Sequence, residues 1–348
     1  MRSNILRSLL WLLLLPLVLS SCKTSSIAMR ALEPAEIDIP RHIQKIGVAN
    51  RSLPPKDINL LNILEGFVTG ESILGDREAS TRTVEGLATR LNNSPRFTAV
   101  VLYGLDLRGT GTKKFPEPLN WGEVDRLCQQ YDVDALALLE TFDSDLFLDK
   151  KTRQVKRTRE GKEYEVTEHL ARLNIRVNSG WRIYDAKEKR IVDANVYTDE
   201  KGWEGRGDNP DQALSGLPDK RRAINDAALF SGERYGVRIS PTWVNITRQY
   251  YSRGHDDLKK AKVYVKRRNY DPAMDIWKRL ALHADPKIAG MAAFNMAVIC
   301  EVQGEYDLAL SWANKSLREF NNKKASGYIQ TLNARKARQA RLDRQMGQ

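Results

Sequence analysis

The chain has 348 residues, 41% of them hydrophobic and 29% charged, so it can bury the cores of two or three domains and does not resemble a disordered chain. Its formal net charge of +12 favours anionic partners, and its three cysteines exclude a fold held together by a disulfide framework. After residue 21 no run is long and apolar enough to cross a bilayer as a helix.

The first 21 residues are typical of an export signal. Arg2 and Arg7 precede an uncharged, leucine-rich run at 8–21, whose apolar core is about half of what a bilayer-spanning helix needs. The run ends in Leu-Ser-Ser-Cys22, which resembles the lipobox of bacterial lipoproteins. The resemblance implies cleavage before Cys22 and acylation, for example with palmitate, of its sulfur and the new amino terminus. A soluble secretory signal beside a cysteine is the alternative.

Residues 22–39 lack hydrophobic periodicity and contain Pro34, so we predict a tether between the lipid and the first domain. Lys23 follows the cysteine where lipoproteins retained in the inner membrane commonly have Asp. By resemblance, this favours a lipid-anchored protein of the outer membrane that faces the periplasm.

Strand and helix patterns alternate over residues 40–253, the predicted first domain. The predicted strands and helices follow hydrophobic periodicity. The strands are 42–50, 97–103, 133–142, 164–185, 190–197 and 239–251, and the helices are 58–74, 79–91, 120–131 and 220–235. A basic run at 150–159 and a glycine-containing run at 202–216 are predicted to be loops. This order predicts a three-layer α/β (α+β) domain. It resembles the small α/β domains of envelope lipoproteins related to the curli-secretion and penicillin-binding-protein-activator families, and the amino-terminal domain of TolB.

Residues 254–348 change to a helical pattern with an internal repeat. Ala273 and Ala309 lie 36 residues apart, and each is a small residue that lets two helices approach closely. Aromatic and turn residues surround them at matching positions: Tyr270 and Trp277 in the first unit, Gly304 and Tyr306 in the second. The pattern resembles tetratricopeptide repeats and predicts an all-α domain of two helical hairpins and a closing helix near 325–344. A generic helical bundle is the alternative. The whole chain resembles uncharacterised bacterial outer-membrane lipoproteins with such a carboxy-terminal region, which implies architecture but no chemistry.

The search for catalytic motifs is negative, so we predict no enzyme activity, no cofactor and no metal. The four histidines, His42, His169, His255 and His283, show no metal-ligand spacing. No phosphate-binding loop or nucleophile elbow is present. Cys128 and Cys300 lie at apolar positions of predicted helices, which indicates buried free thiols.

Binding residues are predicted on the inner helices of the repeats. Lys259, Lys262 and Lys266 lie on the first of these helices, and Asn295 lies on the second. By resemblance, some tetratricopeptide domains hold a ligand carboxylate here, and the lysines favour an acidic peptide. A solvated helix face is the alternative. The basic run 150–159 could also contact an anionic lipid or glycan, whereas an exported protein is not expected to meet nucleic acid.

These observations favour a lipid-anchored envelope scaffold or adaptor that binds another protein through its α/β surface and helical repeats. The alternative is an enzyme or small-ligand-binding domain with an unrecognised site. Carboxylates or histidines that converge in a pocket at the ends of the strands around Ile46 and Ala137 would favour that alternative.

Overall fold

The computed structural model describes residues 24–54, 70–111 and 113–347, with the side chains of the first helix described from residue 77 onward. Cys22 and the predicted signal peptide lie outside these ranges, as does most of the helix predicted at 58–74. The described strands are β1 (Thr24–Glu33), β2 (Lys45–Asn50), β3 (Thr98–Val101), β4 (Ala135–Arg159), β5 (Lys162–Asp185), β6 (Arg190–Gly207) and β7 (Thr242–Tyr251).

The described helices are α1 (Gly70–Asn92), α2 (Trp121–Tyr131), α3 (Pro210–Ser215), α4 (Lys220–Ile239), α5 (Asp256–Lys266), α6 (Tyr270–Leu280), α7 (Pro286–Val302), α8 (Tyr306–Arg318) and α9 (Lys324–Met346). Within the described ranges, every helix is too short or too polar to cross a bilayer. The chain divides into two compact units. The body contains 33–242 and the chain from 342 onward, and the helical unit contains 243–341 and the described residues before 33.

The body is built on a five-stranded sheet with the strand order β3-β2-β4-β5-β6. β2 pairs in parallel with β3 and β4, whereas β4, β5 and β6 are joined by antiparallel pairing. Alternate residues of β4 enter different cores: Ala135, Ala137 and Leu139 pack with α1 and α4, and Leu136 and Leu138 pack with α2. This burial on both faces explains the unbroken apolar run at the start of β4. The predicted α/β body followed by an all-α region is confirmed.

The β4–β5 hairpin is longer than the sequence predicted. Residues 150–159 were predicted to be a basic loop, but they continue β4 and pair with β5 as far as Arg159 and Lys162. Glu160 and Gly161 form the turn with φ of 52° and 76°, the left-handed values that a two-residue hairpin turn requires. The predicted loop at 202–216 is likewise the end of β6 followed by α3.

The helical unit contains two hairpins, α5–α6 and α7–α8, and the closing helix α9. The same unit contains β1 and β7, which form a two-stranded sheet separate from that of the body. Two predictions therefore need correction. Residues 24–33 of the predicted tether form a strand, and the strand predicted at 239–251 groups with the helices, so the predicted boundaries 22–39 and 40–253 do not match the compact units.

Candidate functional site

The strand β7 packs against α9 and against α7, the inner helix on which the sequence predicted that Asn295 would bind a peptide. The central contact is made by Asn295 of α7, whose side chain is fully buried. Its Oδ1 accepts a hydrogen bond from the backbone N–H of Tyr251 at 2.7 Å, and its Nδ2 donates to the carbonyl of the same residue at 2.7 Å. One amide side chain thus satisfies both backbone groups of a strand residue, as a neighbouring strand would.

An ion pair between a half-buried arginine and a buried glutamate fixes the same strand nearby. The carboxylate of Glu301, on α7, accepts two hydrogen bonds from Arg248 of β7, with Nε to Oε2 at 2.7 Å and Nη2 to Oε1 at 2.8 Å. The hydroxyl of Tyr328, on α9, donates to Oε2 at 2.6 Å. Burial and the neighbouring Glu301 raise the pKa of Tyr328 above its ordinary value, so this hydroxyl stays protonated and remains a donor. Bidentate geometry makes the pair specific for this arrangement.

Aromatic rings complete the contact between β7 and the helices. The ring of Tyr251 meets Phe294 edge to face at 5.5 Å, and Phe294 lies 5.1 Å from Tyr328. Tyr250 lies 6.1 Å from the buried ring of Trp277. Because aromatic pairs of this kind contribute beyond their buried area, β7 is held to the helices by apolar packing as well as by polar contacts.

Asn295 therefore does not have the role that the sequence predicted. It was assigned to a partner peptide, but both of its hydrogen-bonding groups are occupied by the backbone of this chain. The prediction identified a polar side chain on the correct helix. It did not identify β7 as the bound segment, although the alternating side-chain pattern of that strand, next to the repeats, was visible in the sequence.

The predicted lysines share one face of α5. Lys259, Lys262 and Lys266 follow the i, i+3, i+7 spacing, and this face lies beside the stripe formed by the buried Leu258, Ala261 and Val265. Lys259 pairs with the neighbouring Asp256 at 2.9 Å. Lys262 and Lys266 have no acidic partner within the part of the chain that the structure describes. The three lysines form a basic stripe, with Lys259 and Lys266 exposed and Lys262 half-buried, which we call the α5 lysine face.

The predicted packing residues occupy the hairpins. Ala273 and Ala309 are fully buried, as is Trp277, whereas Tyr270 and Tyr306 are half-buried at the starts of α6 and α8. Gly304 has a φ of 83°, a left-handed conformation that favours glycine in the turn before α8.

A buried charge cluster lies beside β4 at the point where β2 ends. Glu140 lies in β4 where the pairing register with β5 shifts, and its side chain is fully buried. Arg51 donates to Oε2 at 3.0 Å, Arg182 donates to Oε1 at 3.1 Å, and the hydroxyl of Tyr184 donates to Oε1 at 2.9 Å. Burial raises the pKa of Glu140 despite the two guanidinium groups.

This cluster anchors a loop. The same guanidinium groups donate to the carbonyls of Glu117 and Pro116, and Tyr184 accepts from the N–H of Leu119 at 3.1 Å. Nearby, a cleft of about 270 Å³ at the ends of β2 and β3 includes Asp106, which is paired with Arg108 at 2.7 Å. In the described ranges, these strand ends bring together one carboxylate between two arginines and one surface ion pair. Neither provides the nucleophile and base within hydrogen-bond reach that covalent catalysis requires.

Two histidine contacts were not visible from sequence spacing. His42 Nε2 lies 2.9 Å from Oδ1 of the buried Asp185, and its Nδ1 lies 3.8 Å from Glu188. Arg190 contacts Glu188 at 2.6 Å and Asp185 at 3.8 Å. The guanidinium group of Arg190 therefore balances part of the negative charge of these two carboxylates. The rings of His255 and His283 lie 5.4 Å apart, although 28 positions separate them in the chain.

The two described cysteines are buried and free, as predicted. Burial raises the pKa of Cys128 and of Cys300 from the ordinary value of 9.0 to about 11. Both thiols are therefore protonated and unreactive near neutral pH, because the thiolate is the nucleophile.

Comparison with known proteins gives two family matches. Residues 259–334 match the model described as Domain of unknown function (DUF6340). No curated protein matches the chain.

Among solved structures, the PelC dodecamer from Paraburkholderia phytofirmans is 8% identical and covers 60% of this chain and 97% of its own, with a TM-score of 0.21. TolB from Acinetobacter baumannii is 11% identical; the match covers 61% of this chain and 31% of TolB, with a TM-score of 0.20. A minor lipoprotein from Acinetobacter baumannii is 11% identical; the match covers 58% of this chain and 99% of the lipoprotein, with a TM-score of 0.19. At such TM-scores these similarities carry no argument about fold or function. The other family match covers more than half of the chain: by residues 43–251, the protein belongs to the family described as Domain of unknown function (DUF8603).

Proposed function

We propose that this protein is a non-catalytic scaffold of the bacterial envelope, anchored to the outer membrane through acylated Cys22 and facing the periplasm. The lipobox-like end of the leucine-rich run supports the anchor. In this proposal, the helical unit recruits another envelope protein.

The observation that carries the recruiting role is the α5 lysine face. Because β7 takes the hydrogen bonds of Asn295 and Glu301, a partner peptide has no free polar group at these two positions. The α5 lysine face is therefore the remaining predicted binding surface of the repeats. Its charge favours an acidic segment of the partner, since opposite charges speed association and select register.

The anchor is tested by metabolic labelling of cells with an alkyne analogue of palmitate. The full chain is expected to carry the label and to sediment with outer membranes, and Cys22→Ala is expected to lose both properties. An unlabelled wild-type chain would contradict the anchor.

Partner binding is tested by crosslinking the full chain in intact cells. The charge-reversal variant K259E/K262E/K266E is expected to lose a crosslinked partner that the wild type retains. A matched variant, K278E/R318E/K323E, changes the net charge equally at exposed positions of the same unit and is expected to keep it. Equal crosslinking in both variants would refute the α5 lysine face as the recruiting surface. If crosslinking is lost in both, net charge rather than this surface governs binding, and the proposal also fails.

A further inference from the structure

One edge of the β4–β5 hairpin is open. β2 pairs with β4 only as far as Asn50 and Leu139. Beyond that point β5 continues on one side of β4 for the length of the hairpin, and no strand within the described ranges pairs with its other side. A strand edge of this kind presents unpaired N–H and C=O groups to any chain that can pair with it.

The open edge carries three consecutive exposed apolar side chains. Leu146, Phe147 and Leu148 are 38%, 46% and 47% exposed. Leu146 and Leu148 lie opposite Ile175 and Leu173, which belong to the buried core of the hairpin. The apolar surface therefore runs from the core of the body to the edge, whereas natural edge strands are ordinarily protected by charged residues, proline or bulges.

Charges of opposite sign flank this apolar triplet. Asp143 and Asp145 precede it, and Asp149, Lys150, Lys151 and Arg153 follow it. Within the chain, Asp143 pairs with Lys113 at 2.8 Å and Asp149 pairs with Lys151 at 2.7 Å, both pairs lying at the surface. The segment before the triplet is acidic and the segment after it carries a net positive charge, so two antiparallel copies are complementary: the acidic end of each strand then meets the basic end of the other.

We propose that a second copy of this chain pairs with the open β4 edge in antiparallel register, with the two-fold axis at Leu148. Leu148 then faces its own counterpart, Asp145 faces Lys151, and Asp143 faces Arg153. No like charges face each other in this register.

Neighbouring registers are less favourable. An axis at Phe147 places Asp145 opposite Asp149, and an axis at Leu146 places Asp143 opposite Asp149. Directly opposed like charges destabilise strand pairing, whereas opposite charges stabilise it. The pairing joins two five-stranded sheets and covers the exposed leucines. It requires neither acylation nor the α5 lysine face, so it stands independently of the proposed function.

The charge pattern is tested by sedimentation velocity of the mature full chain in detergent over a range of concentrations. The wild type is expected to dimerise. D145K places lysine opposite Lys151 twice in the dimer and is expected to raise the dissociation constant about tenfold. The exchange variant D145K/K151D is expected to restore dimerisation. E165K, a matched charge change on β5, is expected to behave as the wild type. A monomeric wild type, an unaffected D145K or an exchange variant that fails to recover would overturn the proposal.

The register is tested by single cysteines. Directly opposed residues of antiparallel strands have Cβ atoms about 4.5–5.5 Å apart, so Leu148→Cys is expected to form a disulfide-linked dimer under mild oxidation. Leu146→Cys is expected to stay monomeric in denaturing gels, because its counterpart lies four residues further along the strand. The native thiols of Cys128 and Cys300 give little background, since both are buried and protonated. Crosslinking at 146 instead of 148, or at neither position, would overturn the register.

Discussion

At the scale of single residues, Asn295 shows how one side chain can hold a strand against a helix. The side-chain amide of Asn295 presents one acceptor and one donor, and the N–H and carbonyl of Tyr251 use both at 2.7 Å. The sequence indicated a polar residue on an inner helix surface. It could not indicate the partner, because the two residues are 44 positions apart and only the folded chain brings them together.

We expect Asn295→Ala to destabilise the helical unit by about 2–4 kcal/mol, because two buried backbone groups of Tyr251 lose their partners. Urea unfolding measures this change, and hydrogen exchange at the Tyr251 amide locates it. Asn245→Ala, at an exposed position of the same strand, is expected to change the free energy of unfolding by less than about 0.5 kcal/mol. Equal effects of the two substitutions would show that the buried amide has no special role.

At the scale of secondary-structure elements, glycines set the contact between α1 and α4. A Cβ added at Gly232 would lie 1.9 Å from the carbonyl oxygen of Thr83, and one added at Gly86 would lie 2.1 Å from that of Leu229. The two helices therefore approach each other backbone to backbone. In the sequence, a glycine inside a helix only weakens the helix prediction, since the sequence does not reveal whether a neighbouring helix lies against it.

We expect Gly232→Ala to destabilise the body by about 2–3 kcal/mol, because the added methyl group overpacks a backbone contact. Gly327→Ala is the comparison, since its added Cβ would meet no atom within 4 Å. That substitution is expected to stabilise the helical unit by about 0.5–1 kcal/mol through helix propensity. Thermal unfolding of both variants checks the opposite signs, and a neutral Gly232→Ala would refute the close approach.

The β4–β5 hairpin shows where an element was missed despite a signal in the sequence. Basic residues dominate 150–159, and the sequence analysis assigned them to a loop on the basis of charge. Basic side chains here pair with acidic side chains of β5: Arg153 and Arg157 with Glu168 at 2.7 and 3.9 Å, and Lys156 with Glu163 at 3.5 Å. Gly161 was the turn signal available in the sequence. Charge therefore obscured a strand whose partner segment carries the opposite charge.

At the scale of the whole molecule, the segment after the lipobox-like sequence belongs to the fold. Thr24, the first residue of β1, is two residues from Cys22, a span of about 7 Å in an extended chain. Ile27 and Ala31 of β1 are buried, and Ile27 lies in the core of the helical unit. If Cys22 is acylated, the helical unit is held close to the bilayer without a long tether.

We expect Ile27→Ala to destabilise the helical unit by about 2–4 kcal/mol, because it leaves a cavity in that core. Ser26→Ala, at an exposed neighbouring position, is expected to be neutral within about 0.5 kcal/mol. Hydrogen exchange across α5 to α9 measures both. Unchanged protection in Ile27→Ala would restore the interpretation of 22–39 as a tether.

The sequence by itself determined the features that depend on local pattern: the order of most strands and helices, the buried cysteines and the two helical hairpins with their small residues at Ala273 and Ala309. Hydrophobic periodicity and turn residues are local, so they can be read along the chain. Tertiary structure alone decided that β1 joins β7, that β7 occupies the contact predicted for a partner, and that no described strand pairs with the outer edge of β4. Each of these depends on hydrogen bonds between distant segments, and backbone hydrogen-bonding groups are the same in every residue apart from proline, so the sequence does not specify their partners.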